Sequence, residues 1–264
     1  MPQRVGLTHT QMKLGWGYQR LNELEREVEK FRNDAYLLTR QDDVKNSRHL
    51  FCVEQKITPD PIGMLIGEFA YNLRSGLDHL AWQLALLTTN SPNDRTAFPI
   101  LGRAPNPKSR YWDSIRDFPG DVKFPATVKG TVNSLQPYKR GASFKDDPLW
   151  QLNRLCNMDK HQFVSIACIE FQIGIFNISK VWRSDLDHTT VVSIPLAEKD
   201  QAEFYVNVPE IVFGEPIKAT DAISSFEIGM DGLRKIYNFV RYDAVPKFEP
   251  FFPKHTFPPS GFRW

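Results

Sequence analysis

Apolar residues recur at three- and four-residue steps from Thr10 to about Phe31, at Met12, Leu14, Tyr18, Leu21, Leu24, Val28 and Phe31. The polar remainder, including Arg20, Glu23, Glu25, Arg26, Glu27, Glu29 and Lys30, forms the solvated face of one long helix over about 10–33. Two short runs, Tyr36–Arg40 and Leu50–Lys56, flank a polar stretch and predict a small N-terminal hairpin. Asp60 then stands as an N-cap and Pro61 as a first helical residue, opening a helix over about 61–88. Its seam of Ile62, Leu65, Ile66, Phe69, Leu73, Leu77, Leu80, Leu84 and Leu87 is the strongest periodic signal in the chain.

The stretch from Thr89 to Pro148 is irregular and rich in Pro and Gly, with short helical pieces at Tyr111–Asp117 and Ala126–Leu135. Its aromatic residues, Phe98, Tyr111, Trp112, Phe118, Phe124 and Tyr138, need burial, so the stretch is expected to cover the body. A third long helix follows over about 148–167. Alternation at Ile169, Phe171, Ile173 and Ile175, with runs at Val191–Leu196 and Phe204–Val208, predicts an antiparallel meander within about 169–213. A last helix is expected over about 219–244, with Gly229 and Gly232 inside it at ~1 kcal/mol each relative to Ala. The end, 246–264, mixes five prolines with aromatic residues and is too apolar for a solvated tail. The expectation is a single α+β domain over 1–264: about four long helices in a bundle, an inserted meander and the small hairpin.

Composition narrows the function classes. Apolar residues at 41% and charged residues at 24% exclude a disordered chain. The longest apolar run, Leu80 to Leu87, is far short of the roughly 18–20 residues of a membrane span and holds Gln83. The start shows no apolar segment of a secretory signal, and Cys52, Cys156 and Cys168 are too scattered for a disulfide framework. A cytoplasmic protein without membrane attachment and without cofactor is therefore expected. A balance of 33 basic to 31 acidic residues argues against a dedicated duplex-DNA binder. Gly63, Gly67 and Gly76 form no phosphate loop, since no strand precedes them and no Lys-Ser/Thr follows.

The candidate chemistry lies on two helices. At about 100° per residue, Asn72, Ser75 and His79 fall on one flank of the seam of helix 61–88. Arg74 and Asp78 fall on the other, four residues apart, so they can pair. Arg74 and His79 are roughly 140° apart and converge on one substrate only if a second element brings them together. On helix 148–167, Arg154 and His161 are nearly in register, with Trp150 and Asn157 on the same stripe. Asp159 is expected in the middle of that helix's apolar face, where a carboxylate needs a cationic partner such as Arg74, His79 or Lys160.

The segments Asn72–His79 (NLRSGLDH), Leu135–Tyr138 (LQPY) and Asp159–His161 (DKH) resemble a widespread bacterial family in which an NLRSALDH-like helix, a QPY turn and a DKH-containing helix recur in this order. More distantly, Arg74-x4-His79 and Arg154-x6-His161 resemble the HEPN superfamily, helical bundles whose ribonuclease members carry Arg, four to six residues, then His. That resemblance implies metal-independent RNA cleavage at a site shared by two protomers, in phage defence or as a toxin. Arg74 would neutralise the scissile phosphate, His79 would act as general base or acid, and Asn72, Ser75 and Asp78 would orient them. Two other readings stand beside it. One is a non-catalytic binding or scaffold protein whose Arg, Asp and His residues form a buried network. The other is a metal-dependent hydrolase using Asp78, His79, Asp159 and His161, disfavoured because adjacent helical side chains diverge by about 100°.

Overall fold

The computed structural model describes residues 5–34, 36–57, 60–87, 92, 96–104, 126–161, 165–168, 172–173, 180–183, 189–195, 206–207, 211–214 and 226–253. The chain groups into two compact units. The first comprises Met1–Asn22, Leu65–Val164 and Met230–Trp264, and the second Glu23–Met64 and Ser165–Gly229.

The first unit is built on α1 (Thr8–Asp34) and α2 (Asp60–Leu86), both of which continue into the second. On α1, Leu14, Leu21, Leu24, Val28 and Phe31 are buried as their spacing predicts, whereas Met12 and Tyr18 face outward at 39% exposure each. On α2 the seam from Ile62 to Leu84 is buried apart from the half-buried Leu65, and Leu87 is exposed. Ala70, Ala81 and Ala85 are sealed as well, so α2 is packed on more than one side. The two helices run antiparallel: the Gly6 N–H donates to Gln83 Oε1 at 2.9 Å, and Arg20 pairs with Glu68 at 3.3 Å. They come close where side chains are missing. A Cβ at Gly17 would fall 2.9 Å from Leu73 Cδ2, and one at Gly76 would fall 3.2 Å from Leu14 Cδ2.

Beyond α2, Thr96–Ala104 runs as an extended strap, followed by α3 (Ala126–Ser134), tight 3-10 turns over Pro137–Asp146 and α4 (Pro148–His161). Asp147 caps α4: its Oδ1 accepts from the Leu149 N–H at 2.9 Å, Pro148 opens the helix, and Arg140 pairs with the same buried carboxylate at 2.5 Å. Of the aromatic residues expected to need burial, Phe98 is buried and Tyr138 half-buried, whereas Tyr111, Trp112, Phe118 and Phe124 lie outside the described residues. The piece expected at Tyr111–Asp117 lies outside the described residues.

Helix α4 stops earlier than expected. Residues Ser165–Cys168 form β3, with Ile166 opposite Phe213 of β8 (Ile211–Gly214), and the β-branched residues around them favour the extended state. The second unit holds β1 (Tyr36–Asp43), β2 (Arg48–Gln55), β5 (Lys180–Arg183) and β6 (Thr189–Pro195) in the antiparallel order β1-β2-β6-β5. The expected hairpin is therefore zipped to β6 rather than standing alone. The other strands pair as β3-β8-β9 and β4-β7, with β4 at Gln172–Ile173, β7 at Val206–Asn207 and β9 at Glu227–Gly229. This is no single meander, because strands distant in sequence pair.

The last helix is also shorter than expected: α5 spans Met230–Asn238, preceded by β9, while 219–225 lie outside the described residues. Gly229 thus ends a strand and Gly232 sits in the first helical turn, so neither carries the cost of a helix-interior glycine. A wider π-helical turn over Phe239–Ala244 and a 3-10 segment over Val245–Phe251 follow. Phe248 packs edge-on against Phe98, with centroids 6.0 Å apart at 89°. The described part of the aromatic tail therefore covers its own unit. Among the described residues no helix is long and apolar enough to cross a membrane.

Candidate functional site

The polar groups of Asn72–His79 diverge to two places. On one flank, Arg74 and Asp78 pair at 3.2 Å, as their spacing predicts, and together clasp one residue of the strap. Arg74 Nη2 donates to the Phe98 carbonyl at 2.8 Å, and Asp78 Oδ1 accepts from the Phe98 N–H at 2.9 Å. Both backbone polar groups of a buried residue are satisfied this way, which an extended segment without sheet partners cannot do alone. Gln136 serves the next part of the strap, at Pro99 and Leu101. It accepts from the Leu101 N–H and donates to the Pro99 and Val132 carbonyls, each at 3.0 Å. The Tyr138 N–H donates to the Leu101 carbonyl at 3.0 Å, and the Tyr138 hydroxyl bonds Asn133. The NLRSGLDH and LQPY segments are therefore two clamps on one strap.

On the other flank, His79 faces α1. Its ring centroid lies 5.9 Å from that of His9, with the rings tilted by 32°. One turn along α1, the Lys13 ammonium sits 5.2 Å from the centroid of Trp16 and 5.3 Å from that of Tyr71. Tyr71, Ser75 and His79 are successive at four-residue steps on α2, as His9, Lys13 and Trp16 are at four and three on α1. Partial burial, and next the charges of His9 and Lys13, hold the His79 imidazole below its ordinary proton affinity, with Asp78 opposing. The ring is neutral at neutral pH and free to take a proton.

Within one chain, Arg74 and His79 are not brought together: the guanidinium points to the strap and the imidazole to α1. Asn72 Nδ2 donates to the Glu68 carbonyl at 2.8 Å, one turn back in its own helix, and Ser75 is half-buried beside His79. On α4, Arg154 is half-buried and Asn157 is exposed. Asp159 is exposed, contrary to the expectation of a buried carboxylate seeking a cation. It lies against Gly67, where a Cβ would fall 2.6 Å from its Cγ, so the absent side chain gives the carboxylate room at the helix edge. The burial of α4 comes from Leu149, Leu152, Leu155, Cys156 and Met158 instead. His161 is the last residue of α4, and the placement of its side chain lies outside what is described.

Gly67 and His79 are twelve residues apart on α2, about 18 Å along the axis, so Asp159 and His79 serve no common site. Asp78 is committed to the strap. Among the described residues, no group of three or more His, Cys, Asp or Glu is placed to hold a metal ion. His9, Lys13, Trp16 and Tyr71 were not singled out by the sequence reading. The stripe of His9, Lys13 and Trp16 is present in the sequence, but the antiparallel register that sets it against α2 is not. Comparison of the chain with protein-family models, with curated proteins and with solved structures finds no match in any of the three.

Proposed function

We propose that the α1/α2 surface around His79 cleaves RNA without a metal ion, with the acid–base pair His79 and His9 and the cation Lys13. The observation that supports this reading is the pair of imidazoles 5.9 Å apart beside an ammonium group. That spacing lets both rings reach one phosphodiester. The neutral His79 imidazole takes the proton of the ribose 2′-hydroxyl as its oxygen attacks phosphorus. His9 serves as the general acid that gives a proton to the departing 5′-oxygen, and the ammonium of Lys13 offsets the charge on the non-bridging oxygens. The products are a 2′,3′-cyclic phosphate and a 5′-hydroxyl, and no other reactant is needed. This keeps His79 in the role that the HEPN resemblance implies. It moves the phosphate cation from Arg74 to Lys13, because Arg74 is occupied with Phe98.

A second reading, a non-catalytic binding or scaffold protein, is favoured by one observation: Arg74 and Asp78 bond to backbone that needs them. Cleavage of a labelled mixed-sequence RNA in excess EDTA decides between the two. The catalytic reading expects cyclic-phosphate ends from the wild type and a loss of about 10²–10⁴-fold in rate for folded His79→Ala. A wild type that leaves the RNA intact, under conditions where it binds it, establishes the binding reading.

A further inference from the structure

The stripe that carries His9 and His79 extends past the two imidazoles. Along α1 it runs His9, Lys13, Trp16, Arg20, and along the antiparallel α2 it runs His79, Ser75, Tyr71, Glu68. From His9 to Arg20 is eleven residues, roughly 16 Å of helix. Next to the imidazole pair come a cation and two aromatic rings that remain open to solvent, Trp16 at 46% and Tyr71 at 57%. The Lys13 ammonium lies over both rings and is held there by them. At the far end the Arg20–Glu68 pair, at 3.3 Å, closes the stripe with a carboxylate that phosphate avoids.

Two large aromatic rings are thus left half-open beside an ammonium that is paired with no acid among the described residues. Among the groups along this stripe, the carboxylates are Asp78, turned to the strap, and Glu68, turned to Arg20. The middle of the stripe therefore presents positive charge and π-faces together. Nucleic acid offers the complement of both, a phosphate for the ammonium and a flat base for each ring. A duplex keeps its bases stacked on one another and offers only phosphates to such a surface. An unpaired strand offers both.

We propose that the substrate is single-stranded RNA, bound with the base next to the scissile phosphate stacked on Trp16 or Tyr71 while Lys13 holds the phosphate. This rests on the ribonuclease reading for the identity of the reaction, and binding is tested apart from it with a strand that cannot be cleaved. A fluorescently labelled single-stranded 2′-deoxy oligonucleotide is titrated with full-length protein at low and high salt, against the same sequence as a duplex. The expected result is tighter binding of the single strand, weakening with salt. Trp16→Ala and Tyr71→Ala, both at open positions that leave the fold intact by circular dichroism, each weaken binding about tenfold. Tyr71→Phe, which keeps the π-face, binds as the wild type. Equal affinity for duplex and single strand, no binding of either, or alanine variants that bind as the wild type would each overturn the proposal. If the deoxy strand binds as described but RNA stays intact, the ribonuclease reading fails and this one stands. If RNA is cleaved and the Trp16 and Tyr71 variants cleave and bind it unchanged, the reverse holds.

Discussion

One helix, α2, presents two polar flanks built from the same eight-residue stretch, Asn72–His79, and they differ in what they touch. Arg74 and Asp78 spend their hydrogen bonds on the backbone of Phe98, a residue with no exposed surface. The His79 ring meets that of His9, with Lys13 one turn along α1, in a half-open setting where three basic groups share one surface. The first arrangement satisfies groups that folding would otherwise strand. The second gathers basic groups that no described carboxylate fully offsets, which costs stability and is tolerated where a ligand supplies the missing charge. Adjacent residues, 78 and 79, thus face different neighbours: the backbone of the strap and the side chains of α1.

The sharpest way to break this contrast is a paired substitution. His79→Ala is expected to lose cleavage by about 10²–10⁴-fold with stability nearly unchanged. Gln136→Leu is expected to lose roughly 2 kcal/mol or more of stability, because the Leu101 N–H and the Pro99 carbonyl are left buried without partners. Specific activity per folded molecule then stays the same, as urea unfolding and RNA cleavage on one preparation will show. If Gln136→Leu instead removes activity from a fully folded protein, the strap belongs to the site. Next in size, Arg74→Ala is expected to cost about 1–3 kcal/mol. Arg74→Lys recovers only part of that, because an ammonium cannot serve Asp78 and the Phe98 carbonyl with the same fixed geometry.

Smaller effects follow from protonation. The His79 affinity for a proton is lowered in the folded state, so between 6.5 and its lower folded value the unfolded chain binds more protons. Its contribution to stability is whole above 6.5 and is lost as pH falls through that window. His79→Asn flattens this part of the urea-midpoint profile. Burial in the main, with Tyr242 and Tyr18 adding and Arg241 opposing, raises the Tyr237 phenol above 10.0. The folded state then holds the proton longer, so this contribution is present below 10.0 and is lost as pH climbs past it. Tyr237→Phe removes that alkaline limb and leaves the acid side untouched.

The helices were legible because their seams are long: the Ile62 to Leu84 spacing needs no knowledge of what packs on it. The Arg74–Asp78 pair was legible for the same reason, being internal to one helix. Their real partner was not, because it is backbone, and a Phe98 carbonyl carries no residue-type signal. The burial expected for Asp159 rests on a helix running to about 167, whereas α4 ends at His161 and Ile166 belongs to β3. Strand partners such as β2 and β6, more than a hundred residues apart, lay beyond any local pattern. The surface at His79 was half visible: one helix carried a candidate, and the other half needed the antiparallel register of α1 and α2.

That register has a further consequence. The distance between the two imidazoles is gauged by atoms that are absent, at Gly17 and Gly76, where the helices lean together against Leu73 and Leu14. Each missing methyl works as a shim left out. Inserting one at position 76, a single turn from His79, would press on Leu14 and spread the two helices beside the imidazole pair, so the gap between the rings is set from inside the core.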